Sequence, residues 1–208
     1  MPGYYADYRK GVHKQGKPTG HDAFRQTVGC PVRRTFDDMD YDNFDDRVEY
    51  EFKLDNLHAG WCLSVNADRH ASAGCQVILG FPKCPSRNNK PDEGPWKIFK
   101  TNAYRLEQNS FPYVLLEGLH VLEVVQKTEQ NIPITVRLRF GSKGPLVTKV
   151  QTALQKAGFY EGEIDDDYGT RTLRAVLAYQ TITFGDGTDN GVVGPMTAKA
   201  LKVTWPTV

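Results

Sequence analysis

No stretch of this 208-residue chain approaches the ~18 apolar residues that a membrane helix needs. The opening residues, Met1-Pro2-Gly3-Tyr4-Tyr5-Ala6-Asp7-Tyr8, contain neither the apolar centre nor the cleavage pattern of a secretory leader, so synthesis in the cytoplasm is expected. Charge of one sign is also lacking. Twenty-six Lys and Arg stand against 25 Asp and Glu, for a net charge of +1. That balance gives no field to gather nucleic acid or an anionic membrane, and no nucleic-acid-binding motif is present. Cysteine is scarce, at four residues: Cys30, Cys62, Cys75 and Cys84. No C-x-x-C pair occurs, which argues against a structural zinc site. If Cys75 is a working thiol, an odd three remain, with room for one disulfide among Cys30, Cys62 and Cys84.

Apolar residues make up 39% of the chain and charged residues 25%, enough for one large domain or two smaller ones. The C-terminal third has its own pattern. After Gly141-Ser142-Lys143-Gly144-Pro145, Val147, Val150, Leu154 and Ala157 recur at helical spacing, and Gly158 stops the helix. An acidic turn, Gly162-Glu163-Ile164-Asp165-Asp166-Asp167-Tyr168-Gly169, leads to Thr172 and a second helix carrying Leu173, Val176, Leu177, Tyr179 and Gln180. The turn returns as Asp189-Asn190-Gly191-Val192-Val193-Gly194, so that Gly169 corresponds to Gly194 and Thr172 to Thr197. Helices joined by repeated Gly/Asp turns predict a small three-helix unit.

Residues 1–130 read differently. Strand-like runs occur at Val48–Leu54, Cys75–Leu79, Tyr113–Glu117 and His120–Val125, with a long loop over Pro82–Pro95 and a helix within Trp96–Leu106. The expected architecture is α+β: a mostly-β N-terminal domain (1–130) with long loops, a linker (131–137) and a small all-α three-helix domain (138–208).

Within the first domain, Asn56-Leu57-His58-Ala59-Gly60 precedes Ser72-Ala73-Gly74-Cys75-Gln76. A cysteine behind a small, flexible run, with a histidine on a neighbouring strand, suits a thiol nucleophile and its base. The histidine needs an acceptor on its other ring nitrogen, for which the Ala59 carbonyl is the candidate, and backbone N–H groups near Gly74 and Cys75 are candidate oxyanion donors.

From Leu138 to Leu201 the chain closely resembles the three-helix peptidoglycan-binding domain of cell-wall hydrolases, through Gly141-x-x-Gly144, Val150-Gln151-x-x-Leu154, Gly162-x-Ile164-Asp165, Tyr168-Gly169-x-x-Thr172 and Tyr179-Gln180. That resemblance implies a module that docks on wall glycan or stem peptide, with Tyr168 and Gln180 as candidate wall contacts. Residues Leu54 to Leu79 look like the active-site signature of the L,D-transpeptidase (YkuD-like) domain. On that resemblance Cys75 is the nucleophile, His58 the base, and Ser72 and Gly74 the residues leading into the cysteine. The family's histidine before Gly-Cys is replaced here by Ala73, and His70 is the candidate substitute. The resemblance implies stem-peptide cleavage or transpeptidation through a Cys75 thioester, with no cofactor and no metal, in an endolysin-like enzyme that acts on the wall as a monomer. Arg25, Arg33, Arg34 and Arg69 are candidates to hold substrate carboxylates, and Trp61 and Trp96 to offer a platform.

Two other readings remain open. A wall-binding or virion structural protein would have lost its chemistry with the histidine at position 73. A zinc peptidase would draw on His13, His21, His58 or His70, although no H-x-x-x-H or H-x-x-E-H spacing occurs. Asp38, Asp40, Asp42 and Glu49 fit positions of a calcium-loop template, but Asn43 stands where glycine is required, so a solvated acidic loop is expected.

Overall fold

The computed structural model describes residues 1–34, 47–50, 55–67, 72, 74–185 and 189–208. The architecture is α+β, with a curled N-terminal sheet and a helical C-terminal region. Two compact units divide the chain: Ala6–Cys30 with Glu51–Tyr113, and Met1–Tyr5 with Pro31–Tyr50 and Val114–Val208.

The first unit is built on an antiparallel hairpin of β1 (Gly3–His13) and β2 (His21–Gln26), in register from Tyr8 opposite Gln26 to His13 opposite His21. Lys14 and Gly16 take positive φ in the turn, which closes with Lys17 N–H on the Lys14 carbonyl and Gly20 N–H on that of Lys17. Strand β5 (Leu57–Ala59) pairs antiparallel with β2, and β6 (Gln76–Ile78) pairs parallel with β5. With β7 (Ser110–Leu115) the sheet order is β6-β5-β2-β1-β7. Helix α1 (Gly94–Tyr104) supplies the apolar cover. Phe24 meets Phe99, Tyr104 and Phe111 edge to face at 5.3–5.5 Å, an arrangement that suits aromatic quadrupoles. The Tyr104 hydroxyl donates to the carbonyls of Ala23 (2.8 Å) and Gly11 (3.1 Å), tying helix to hairpin.

Sequence reading missed this hairpin. The strand-like runs expected from sequence begin only at Val48, whereas β1 and β2 are central to the sheet. Trp96 is fully buried in α1 and is no platform. None of the four cysteines is half of a disulfide.

The second unit contains a short ribbon of β3 (Val32–Arg34) and β4 (Arg47–Glu49), helix α2 (Gly118–Glu129), and three helices α3 (Pro145–Lys156), α4 (Thr170–Phe184) and α5 (Pro195–Ala200). Helix α2 corrects the strand expected over His120–Val125. Its β-branched run is carried in helical form, with Glu123 paired to Lys127 one turn on and to Arg137. The core of α3–α5 comprises Val147, Val150, Leu154, Tyr168, Leu173, Val176, Val193 and Ala198.

The internal repeat has a structural counterpart. Buried Gln151 donates to Asp165 Oδ1, the Asp167 carbonyl and Thr172 Oγ1, and accepts from the N–H groups of Asp165 and Asp166. Buried Gln180 donates to the Val192 carbonyl and Thr197 Oγ1, and accepts from Gly191 N–H. Each glutamine pins one acidic turn to the threonine that begins the next helix.

Candidate active site

His58, on β5, is 1% exposed. Its Nδ1 lies 2.8 Å from the Ala59 carbonyl, so Nδ1 carries the proton and donates there. The acceptor anticipated from the sequence is therefore in place. His58 Nε2 is buried without a hydrogen-bond partner among the described residues.

His13, at the end of β1, stacks on His58 with ring centroids 4.0 Å apart and planes 14° apart. Its Nδ1 is 3.0 Å from Asn56 Nδ2. A neutral ring that accepts this hydrogen bond holds its proton on Nε2. His21 faces His13 across the hairpin and meets the rings of His58 (5.3 Å) and Trp61 (5.7 Å) edge-on, while its Nδ1 binds the Thr19 carbonyl at 2.8 Å. Trp61 itself adopts φ of 57°, an uncommon conformation for a bulky residue and one that clusters at functional sites.

Cys75 precedes β6. Parallel pairing of Leu57 with Gln76 sets it beside Asn56, whose backbone N–H points at Sγ from 3.4 Å. Ser72 shapes the approach: its Oγ donates to the Cys75 carbonyl (2.8 Å) and accepts from Gly74 N–H (3.2 Å). That second bond occupies a backbone donor assigned from sequence to the oxyanion. One ring nitrogen each of His13 and His58, together with Cys75 Sγ, all lie within 4.8 Å of one another.

Burial governs the electrostatics. Desolvation holds both His13 and His58 down to about 4; the neighbouring His58 and His21 rings lower His13 further, and His21 lowers His58 further. His21 is shifted down for the same first reason. Burial pushes the Cys75 thiol up, partly offset by the Asn56 N–H. Both members of the pair are thus neutral at rest near pH 7, not the thiolate–imidazolium pair that a Cys–His signature suggests.

Other sequence candidates fall elsewhere. Arg25, on β2, is close enough to disfavour charge on His13. Arg34, on β3 of the other unit, has its Nε 3.9 Å from Glu49, and Arg33 is paired with Asp189. Arg69, His70, Ala73 and the acidic loop from Phe36 to Asp46 lie outside the described residues. Tyr168 (0% exposed) and Gln180 (2%) are interior residues of the helical module and correct the wall-contact assignment; the Tyr168 hydroxyl donates to the Gly191 carbonyl. His13 and Asn56 are the participants that sequence reasoning had not joined to the site.

In the helical region, the glutamine-pinned repeat surrounds a single apolar core. Residues 143–201 match the peptidoglycan binding domain family. The match supports a peptidoglycan-binding module in that segment and, through it, association with the cell wall. No curated protein and no solved structure matches the chain.

Proposed function

We propose that the N-terminal unit is a cysteine-dependent enzyme acting on peptidoglycan stem peptides, carried to its substrate by the wall-binding module. The observation that supports it best is the convergence of Cys75 Sγ with His13 and His58, the latter fixed by the Ala59 carbonyl.

In this mechanism His58 Nε2 takes the Sγ proton as sulfur attacks a stem-peptide carbonyl, so the charged pair arises only with substrate in place. A neutral His13 offers its Nε2–H to the developing oxyanion, a contact worth roughly 3 kcal/mol where donors are well placed. The C–N bond breaks, the leaving amine takes the proton from His58, and a thioester remains. Water or an acceptor amine then attacks the thioester, the C–S bond breaks, and His58 passes the incoming proton to the departing Cys75 sulfur, giving hydrolysis or a new cross-link. The L,D-transpeptidase-like signature favours a peptide of L,D configuration.

The test is digestion of purified sacculi and soluble tetrapeptide muropeptides, read by mass spectrometry, with wild type, Cys75→Ala and EDTA-treated protein side by side. Cleavage lost in Cys75→Ala and retained in EDTA is expected. Absence of cleavage in every sample, with sacculus binding intact, overturns the enzyme reading and leaves a wall-binding protein.

A further inference from the structure

The geometry points to a second use of the same three side chains: His13, His58 and Cys75 form a binding site for a thiophilic divalent cation of the zinc class, and an ion bound there silences the nucleophile. The silencing rests on the catalytic reading above; the binding site does not.

Two nitrogens and a sulfur are the donor set that zinc and cobalt favour over calcium or magnesium. The three donor atoms are already within 4.8 Å of one another. Zinc bonds of about 2.0 Å to nitrogen and 2.3 Å to sulfur place tetrahedral donors about 3.3–3.5 Å apart. Stacked rings aim their nitrogen lone pairs in parallel, so a shared ion requires the half-buried His13 ring to swing out of its stack on a fixed His58, with half-buried Cys75 following. Among the described residues no other His, Cys, Asp or Glu group reaches this arrangement.

A second feature is independent of those distances. Metal-bound histidines as a rule donate their other ring N–H to a carbonyl or carboxylate, which fixes the ring and its tautomer. His58 has that arrangement through Ala59, leaving buried Nε2 without a partner among the described residues. His13 has Asn56 on Nδ1, and Asn56 Oδ1 is buried without a partner among the described residues. A half-turn of that amide brings Oδ1 to Nδ1, moves the His13 proton to Nδ1, and opens Nε2 to a metal. Three protein ligands leave a fourth position for water. Binding expels the Sγ proton to solvent and ties both thiolate electrons and His58 Nε2 to the ion, so neither nucleophile nor base remains.

The experiment is titration of reduced, EDTA-stripped full-length protein with Co(II). One equivalent giving visible tetrahedral bands and a near-ultraviolet thiolate-to-cobalt band, displaced by Zn(II), is expected. Cys75→Ser loses the thiolate band, and His13→Gln weakens binding by about tenfold or more, with circular dichroism reporting that both variants fold. Absence of the bands in wild type, or their survival in Cys75→Ser and loss in Cys62→Ser, overturns the site. The muropeptide assay then decides silencing: one equivalent of zinc stops cleavage and EDTA restores it. Cleavage indifferent to bound zinc overturns the silencing alone, and cleavage that requires zinc overturns it together with the cysteine mechanism. A protein that binds cobalt but never cleaves supports the site while the catalytic reading fails.

Discussion

Two glutamines and two histidines bury polar side chains in opposite ways. In the helical module, Gln151 and Gln180 are enclosed with amide nitrogen and oxygen both engaged by the turns they pin. In the sheet unit, His58 and His21 are as deeply enclosed, yet the Nε2 of each lacks a hydrogen-bond partner among the described residues. A buried polar group with its partners specifies structure, whereas one without them costs stability, on the order of 1–3 kcal/mol, and is tolerated where something else uses it. The glutamines are scaffold by this criterion, and the histidines, on the reading proposed above, are held ready for a proton, a substrate or an ion.

The largest test removes the chemistry without the scaffold. Cys75→Ala and His58→Gln are each expected to lower stem-peptide cleavage by at least about 10³-fold, roughly 4 kcal/mol of transition-state stabilisation. Thermal unfolding should stay within a few degrees of wild type. A large loss of melting temperature in His58→Gln would make that ring a structural residue and erase the contrast with the glutamines.

The reverse test removes the scaffold without the chemistry. Gln151→Ala and Gln180→Ala each strand several buried donors and acceptors, and each should destabilise the module by about 2–4 kcal/mol. Sacculus binding should fall with folding of the module, measured by pelleting and by calorimetry, while cleavage of soluble muropeptides persists. Retained binding by a fully folded Gln180→Ala would show that the turn it pins tolerates the loss.

The same contrast explains what was legible in the sequence. The module was readable because its Gly/Asp turns and threonines repeat locally, each beside the helix it leads into. The pairing of His58 with Cys75 was readable because β5 and β6 are adjacent parallel strands joined by a Ser/Gly-containing segment. The β1–β2 hairpin was not. Arg9, Lys10, Asp22 and Arg25 interrupt its apolar alternation, and its turn is rich in Lys and Gly, so the strands declare themselves only through pairing. Without the hairpin in view, nothing in the sequence set His13 against the ring of His58, where it stacks. Helix α2 failed for a different reason: a run of Val and Leu reads as strand, while the Glu117–His120 and Glu123–Lys127 pairs that suit a helix are weak local signals.

A smaller effect separates the two kinds of burial by pH. Folded, metal-free His13 and His58 stay neutral down to about pH 4, against an ordinary value of 6.5. Between those limits the unfolded chain binds more protons than the folded one, so stability rises with pH. The contribution is complete above about pH 6.5 and is lost progressively as pH falls toward 4. In EDTA, unfolding free energy should fall progressively across that window, and His58→Gln should flatten the slope. The glutamines do not titrate, so substitutions at Gln151 or Gln180 should leave the slope unchanged.

The smallest expected effect concerns Trp61, where backbone and side chain pull in opposite directions. Its φ of 57° is costly for a bulky residue and easy for glycine. Its indole meets the edge of His21, which in turn closes over His58. Trp61→Gly therefore relieves about 1 kcal/mol of backbone strain and forfeits a contact of about the same size, leaving stability near wild type. Activity should still fall, by about fivefold, because the wall behind the histidines is opened to water. Trp61→Phe keeps the ring and the strain and should recover most of that loss. If Trp61→Gly instead gains stability and keeps full activity, the strained conformation serves neither the fold nor the histidines, and the site extends no further than the two rings and the thiol.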